Sequence, residues 1–274
     1  MEHRSAVAAH YAGRDLLTRL DDALRAAGKN PHRLTIDDLA SIDEFHTRGR
    51  AATAELAAAL PEAIDGEVLD VGSGLGGPAR FLAARRGLEV VGIDLIPEYA
   101  AVAEALTRRC GLAGRARFLA GDALALPFPD ARFAAACTQH VAMNIADKAA
   151  FYAGIARVLR PGGSFVLHDV LQGPGGAVRY PVPWSRDAAT SFLVDPPTLE
   201  RLLLTAGFRV VEHRDRRAAS VAWFEALAAR AADRPRPVGL HLLFGPLFTE
   251  MRRNLLTNLR EKRIVPTLVR AVRA

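Results

Sequence analysis

Val68-Leu69-Asp70-Val71-Gly72-Ser73-Gly74-Leu75-Gly76-Gly77-Pro78-Ala79-Arg80-Phe81-Leu82 is the stretch from which the rest of the chain can be read. A short apolar run carries an acid near its end, a glycine-rich turn follows, and then residues that favour a helix. Strand, tight turn and helix start form the place where open α/β sheets bind nucleotide-like ligands. Gly72, Gly74 and Gly77 fit G-x-G-x-x-G, and Asp94 follows about 20 residues on, where a dinucleotide site places its ribose-binding acid. A helix N-terminus also favours an anion such as pyrophosphate. Asp70 argues the other way. A carboxylate repels a diphosphate and suits a ligand with an ammonium group and no phosphate.

The same rhythm continues outward. Val68–Val71 reads as a buried strand, 79–86 as a helix closed by Gly87, and 88–93 as a strand ending at Asp94. A helix over 97–110 has Pro97 in its first turn and Gly111 after its end. Strands follow over 116–120 and 133–138, and a helix over 148–159 is stopped by Pro161-Gly162-Gly163. A strand over 164–170 ends in His168-Asp169. Then come a helix over 197–206, a strand over 208–213, helices over 220–232 and 247–261, and a last strand over 264–272. Strands alternating with helices at these spacings predict βαβ units and a parallel, doubly wound sheet. Residues 1–60 read as helical: leucines 16, 17, 20 and 24 share a face, Thr35 and Asp38 form a capping-box pattern, and a third helix runs from Gly49 to Leu60. The expected organisation is a helical N-terminal cap over 1–60 and one α/β domain over 61–274. That domain carries a lid insertion near 172–197, crowded with Gly and Pro, and a helical insertion near 218–262.

Composition narrows the class. The chain has 274 residues, half of them hydrophobic, enough for one large core. No run of 18 apolar residues and no signal-peptide pattern predict a chain that neither spans a membrane nor is exported. Cys110 and Cys137 give neither a disulfide framework nor a metal-ligand spacing, so a reducing, cytoplasmic setting is expected and no metal. The formal charge of +6 invites a nucleic-acid partner. The basic residues are, however, arginines spread along the chain with only Lys29, Lys148 and Lys262 as lysines, and no basic stripe interleaves with aromatics. Nucleic acid is not the expected partner, and oligomeric state stays open.

Four motifs in order carry a resemblance: Val68–Gly76, then Gly92-Ile93-Asp94, then Gly121-Asp122-Ala123, then Arg157-Val158-Leu159-Arg160-Pro161-Gly162-Gly163. Over about residues 64–170 the chain resembles the class I S-adenosylmethionine-dependent methyltransferases. Phe45-His46-Thr47-Arg48-Gly49 and Ser191-Phe192-Leu193 look like small-molecule enzymes of the sarcosine and dimethylglycine N-methyltransferase type, and overlap with natural-product tailoring O- and C-methyltransferases. The resemblance implies a Rossmann-like, seven-stranded, mostly parallel sheet with a final antiparallel strand. It implies S-adenosylmethionine as methyl donor, whose amine and lack of phosphate agree with Asp70. Asp70, Gly72 and Gly74 would hold its methionine end, Asp94 the ribose, Asp122 and Ala123 the adenine, and Gln139 the region of the sulfur. Tyr11, Phe45 and His46 would close the cofactor site from the cap. An NAD-dependent oxidoreductase and a non-catalytic cofactor-binding protein are the competing classes.

For the transfer itself, a hydroxyl acceptor needs a base and an amine needs only to be neutral. His140 at the end of the fourth strand is the candidate base, with Asp169 at the end of the fifth as its orienting carboxylate. His168 alternates with Asp169 and is expected on the opposite face, in the core. His46 reads as an interfacial histidine. In the 173–192 loop, Tyr180 and Trp184 are candidates for cation–π contact with an amine, and Arg179 or Arg186 for clamping a carboxylate. The expected reaction is N-methylation of a small amine, with O- or C-methylation through His140 as the alternative.

Overall fold

The computed structural model describes residues 15–230 and 238–274. Its centre is a seven-stranded sheet in the order β3-β2-β1-β4-β5-β7-β6, where β1 is Val68–Val71, β2 Val90–Asp94, β3 Ala116–Ala120, β4 Phe133–Gln139, β5 Leu159–Gln172, β6 Phe208–Asp215 and β7 Ile264–Arg273. β1 to β5 pair in parallel, and β7 runs antiparallel between β5 and β6. The chain winds outward from β1 to β3, then returns to the other side of β1. The order therefore reverses between β1 and β4, and ligands in such sheets bind at the carboxyl ends of those strands.

The helices form where caps and breakers place them. α1 is Leu16–Ala26, α2 Ile36–Leu39 and α3 Arg50–Ala59. Thr35 and Asp38 make the expected capping box at the start of α2. α4, Gly77–Arg86, starts earlier than the sequence suggests and is closed by left-handed Gly87; α5, Pro97–Arg109, has Pro97 at its first position. α6, Lys148–Val158, and α7, Pro196–Thr205, are capped by the side chains of Asp147 and Asp195. Between β6 and β7 lie α8 (Arg217–Arg230), α9 (His241–Phe244) and α10 (Phe248–Arg260). The Pro161-Gly162-Gly163 stop lies inside the long β5, where Gly162 has a φ of 75°. From 173 to 195 the chain forms no long element, only a 3-10 turn at Ala188–Thr190 and one bridge between Val182 and Ser185.

Strand alternation separates two cores. Leu69 and Val71 of β1, with Phe165 and Leu167 of β5, face α6 and α7. Val68, Cys137 and Val166 face α3 and α4. The N-terminal segment packs its leucines and Ile42 against Leu75, Ile96, Tyr99 and Leu106, and a buried cation ties it there. Arg80 is fully buried; it donates to Asp43 Oδ2 at 2.9 Å, the carbonyl of Leu75 at 2.6 Å, Thr107 Oγ1 at 3.1 Å and the carbonyl of Ala103 at 3.3 Å. A Cβ at Gly77 would stand 2.3 Å from the Asp43 carbonyl oxygen, so only glycine lets the two backbones meet.

Removing one member of a buried pair leaves the other charge unpaired. Arg80→Ala should destabilise the fold by about 3–5 kcal/mol in urea unfolding. The double change Arg80→Met with Asp43→Leu should recover much of that loss. A loss under about 1 kcal/mol for Arg80→Ala would show that the pair does not hold the segment.

Candidate active site

The glycine turn, the ends of β1, β2 and β4, and the segment 43–46 enclose one cavity. Asp70 is 1% exposed and points to the Cys137 side of β1, with Oδ1 3.7 Å from the thiol. Burial pushes its carboxyl up to about 7, which the Cys137 contact and a backbone N–H only partly oppose. Its Oδ2, together with Ser73 Oγ and Gln139 Nε2, has no hydrogen-bond partner among the described residues, and all three residues line the cavity. Buried polar atoms are ordinarily paired, so these groups are placed for a ligand.

The backbone keeps the turn open. Gly72 has a φ of 75°, and a Cβ there would lie 2.3 Å from Val141 Cγ2. Asp94 ties the turn to β2: Oδ2 accepts from the Gly74 N–H at 2.8 Å and Oδ1 from the Ile96 N–H at 2.9 Å. Burial raises its carboxyl, opposed by these two N–H groups. Asp122 and Ala123 line the same wall, and Asp122 Oδ1 accepts from the Leu124 N–H. Phe45 covers Gly74 and meets Tyr99 edge-on at 5.9 Å. Gly72, Gly74, Asp70, Asp94, Asp122, Ala123, Gln139 and Phe45 thus share one cavity. Tyr11 lies outside the described residues.

A second cavity of about 530 Å³ lies between the N-terminal segment and α8–α10. Trp223, Phe224, Leu227, Phe248 and Leu255 line it, with Arg48, Arg50 and Arg252. Phe45, His46, His140, Pro183 and Trp184 line both cavities and form the wall between them. Trp184 is 2% exposed and its Nε1 donates to Ser191 Oγ. The other two residues expected to contact an acceptor are elsewhere: Tyr180 is half-buried against the apolar cluster that includes Val170 and Trp184, Arg186 is exposed, and neither lines either cavity. Arg179 is paired with Glu261. The Gly/Pro-rich loop turns its middle, Pro183 and Trp184, toward the cavities and its ends away.

The expected His140–Asp169 pair does not form. Asp169 lies on the α6 side of the sheet, beside Lys148, and accepts the N–H groups of Val170, Ala142 and Met143. Burial raises its carboxyl to about 6, opposed by Lys148, and burial lowers Lys148 to about 8, opposed by Asp169. Lys148 in turn donates to the carbonyls of Ala142 and Ile145, so the pair secures the turn after β4. His140 turns away from this side because its φ is 53°, a left-handed conformation that breaks strand alternation. Its ring stands 5.1 Å from His168 and 5.9 Å from His46, and His46 and His168 are 6.3 Å apart. His168 is on the face opposite Asp169, as alternation requires, but that face is the one beside the cavities. Burial, then the neighbouring His168 and His46, hold His140 well below the usual histidine range. Burial does the same to His168. Among the described residues no group of His, Cys, Asp and Glu is arranged to hold a metal ion.

Residues 69–167 match the family described as Methyltransferase domain. The chain carries a methyltransferase domain. The match covers the glycine turn, the cavity walls at β2, β3 and β4, and most of β5. Over 173 residues the chain is 33% identical to an O-methyltransferase of Penicillium expansum, covering 61% of this chain and 60% of that protein. Over 158 residues it is 32% identical to a methyltransferase of Streptomyces halstedii, covering 57% of each. Against the tocopherol O-methyltransferase of Arabidopsis thaliana it is 39% identical over 101 residues, 37% of this chain and 29% of that one. The chain thus spans between 29% and 60% of these relatives' lengths. Among solved structures, geranyl diphosphate C-methyltransferase from Streptomyces coelicolor superposes with a TM-score of 0.72 at 18% identity, over 100% of this chain and 99% of that one. That likeness reaches beyond the methyltransferase domain to the cap and the helices between β6 and β7.

Asp70 should weaken the empty fold. A carboxyl raised in the folded state binds its proton more tightly there than in the unfolded chain, so stability falls as pH rises from about 4 to about 7. Asp70→Asn should therefore raise stability in urea at pH 8 by roughly 2–4 kcal/mol. Near pH 4 the gain should vanish. An equal gain at both values would remove ionisation as its cause.

Proposed function

We propose that this chain transfers a methyl group from S-adenosylmethionine to a small, largely apolar molecule held in the second cavity. The observation that carries the reading is the buried, unpartnered Asp70 carboxylate oxygen beside the glycine turn, in a cavity that shares one wall with an aromatic chamber. A carboxylate there suits an ammonium and opposes a diphosphate. The relatives named as O-, C- and N-methyltransferases support the class of reaction.

The residues present fit this donor. Asp70 would hold the amino group, the backbone of Gly72 and Gly74 the methionine chain, and Asp94 the ribose hydroxyls. Asp122 and Ala123 would flank the adenine, while Gln139 and Phe45 would face the sulfur end. When bound, S-adenosylmethionine supplies an electrophilic methyl group on a sulfonium. The chain's part is to align acceptor, methyl and sulfur in one line and keep water away, a contribution of roughly 7–11 kcal/mol in favourable cases. Phe45, Pro183 and Trp184 in the dividing wall exclude water, and Trp223, Phe224 and Phe248 give an acceptor ring or hydrocarbon its surface.

Two acceptor classes divide on one requirement. An amine reacts once neutral; a hydroxyl or an acidic carbon must first lose a proton. An amino-acid-like amine would use an aromatic residue and an arginine clamp together. Trp184 would serve the first and Arg252 the second, since Arg48 and Arg50, which also line the cavity, are paired with Glu55 and Glu44. No helix among the described residues is long and apolar enough to cross a membrane.

Release of S-adenosylhomocysteine should be detected when S-adenosylmethionine is supplied with a panel of phenols, alcohols and amines. Affinity for S-adenosylhomocysteine should be constant above about pH 7 and fall below it, toward tenfold per unit, because Asp70 must lose its proton before it can pair with the ammonium. Asp70→Asn should weaken binding at pH 8 tenfold or more and abolish this dependence. Binding that strengthens as pH falls would contradict the role given to Asp70.

A further inference from the structure

The wall between the cavities holds a carboxylate–histidine pair that the sequence does not single out. His46 Nε2 lies 2.9 Å from Glu44 Oε2, with the two side chains 3% and 1% exposed. Thr53 donates its hydroxyl to the same carboxylate and also stands 3.2 Å from His46 Nε2 and from Gln139 Oε1. Arg50 Nε is 2.8 Å from Glu44 Oε1. Burial pushes the Glu44 carboxyl up, but hydrogen bonds from His46 and Thr53 and the charge of Arg50 oppose it, and the group lies below the usual glutamate range. An ionised Glu44 is an acceptor only, so Nε2 carries the imidazole hydrogen and Nδ1 is the bare nitrogen. Nδ1 is buried with no hydrogen-bond partner among the described residues, on a ring that lines both cavities.

We propose that His46 is the general base for an acceptor whose reacting atom carries a proton, a phenol or other hydroxyl, with Glu44 as its positioning residue. The inference rests on the methyl-transfer reading above and assigns the chemistry of its acceptor. In the step, His46 Nδ1 takes the hydroxyl proton as the acceptor oxygen forms its bond to the methyl carbon. The electron pair of the carbon–sulfur bond returns to sulfur, leaving a neutral thioether, an ether product and an imidazolium paired with Glu44. That proton then passes to solvent as the product leaves.

The neighbouring histidines are less suited. His140 also lines both cavities, but among the described residues its ring has one polar contact, a 3.4 Å approach to Thr47 Oγ1, and no orienting carboxylate, and burial opposes its protonation. His168 lines neither cavity, and both of its ring nitrogens lack a partner among the described residues. The charged and titratable groups around His46 are Glu44 and Arg50 on its own segment, Arg48 paired to Glu55, Arg216 also on Glu55, and His140 and His168 from the sheet. Glu44 is the carboxylate in contact with the ring.

The test uses the full chain with S-adenosylhomocysteine bound and two readouts. In long-range proton–nitrogen spectra of histidine-labelled protein, His46 should show the Nε2–H tautomer with Nδ1 bare, and Glu44→Gln should release the ring to a mixture. For turnover, phenol, catechol and 2-naphthol are compared with aniline and benzylamine. His46→Gln should lower kcat on the hydroxyl probes about a hundredfold or more, the usual range for a lost general base. KM and affinity for S-adenosylhomocysteine should stay within a few-fold, and Glu44→Gln should lower kcat about tenfold. An Nδ1–H tautomer in the unsubstituted protein overturns the proposal, and decides by itself should none of the probes react. So does an unchanged kcat in His46→Gln, or turnover of amines alone with that variant unaffected. Failure of the unsubstituted chain to bind S-adenosylhomocysteine would instead overturn the methyl-transfer reading.

Discussion

Arg80 is the interaction on which the site depends. Its buried guanidinium holds the carbonyl of Leu75 in the glycine turn, the Asp43 carboxylate on the N-terminal segment, and Thr107 and the Ala103 carbonyl on α5. The turn and the segment are far apart in sequence, yet each supplies one side of the cofactor cavity. Glu44, Phe45 and His46 follow Asp43 directly, so the register of the dividing wall is set where Arg80 grips Asp43. A planar guanidinium with five donors can satisfy several acceptors at once, which a lysine at this position could not. Gly77 completes the arrangement by leaving room for the Asp43 backbone.

This geometry places several carboxylates out of water, and they are treated unequally. Asp43 and Asp169 each face a cation, Arg80 and Lys148, and serve as ties within the fold. Asp94 is held by two backbone N–H groups. Asp70 has no cation beside it, and its Oδ2, like one oxygen each of Asp43 and Asp169, has no hydrogen-bond partner among the described residues. An unsatisfied buried group is destabilising by about 1–3 kcal/mol or more when charged, and at Asp70, which lines the cavity with no cation to offset it, a bound ammonium would relieve that cost. The two sides of the sheet divide the labour: Asp169 and Lys148 brace the turn after β4 from the α6 side, while His140, His168 and His46 gather on the other.

The glycine turn and the alternating strands and helices were legible because local chemistry fixes them, while the antiparallel direction of the last strand came from the family resemblance. Gly72 must take a positive φ, Pro97 starts a helix, Gly87 ends one, and Thr35 with Asp38 caps another. The residues of the cofactor cavity follow from the same logic, since strand ends at a switch point share one crevice. The junction was less legible. Alternation placed His168 and Asp169 on opposite faces correctly, but a single left-handed residue, His140, turned to the face of His168. Tyr180 and Arg186 failed as acceptor contacts because a loop without regular structure has no period from which direction can be read. His46 was read as an interfacial residue and not as a base because its partner, Glu44, lies two residues away in an irregular segment whose path Arg80 sets from a distant helix. The one local signal was the sequence Glu44-Phe45-His46 itself, an acid and a histidine around an aromatic residue.

The central claim is that the turn after β1 is built for an ammonium-bearing adenosine ligand and against a diphosphate. Parallel calorimetric titrations of the full chain with S-adenosylhomocysteine and with NAD test it most directly. The account predicts saturable one-to-one binding of S-adenosylhomocysteine and no heat from NAD. Saturable binding of NAD with none of S-adenosylhomocysteine would contradict it.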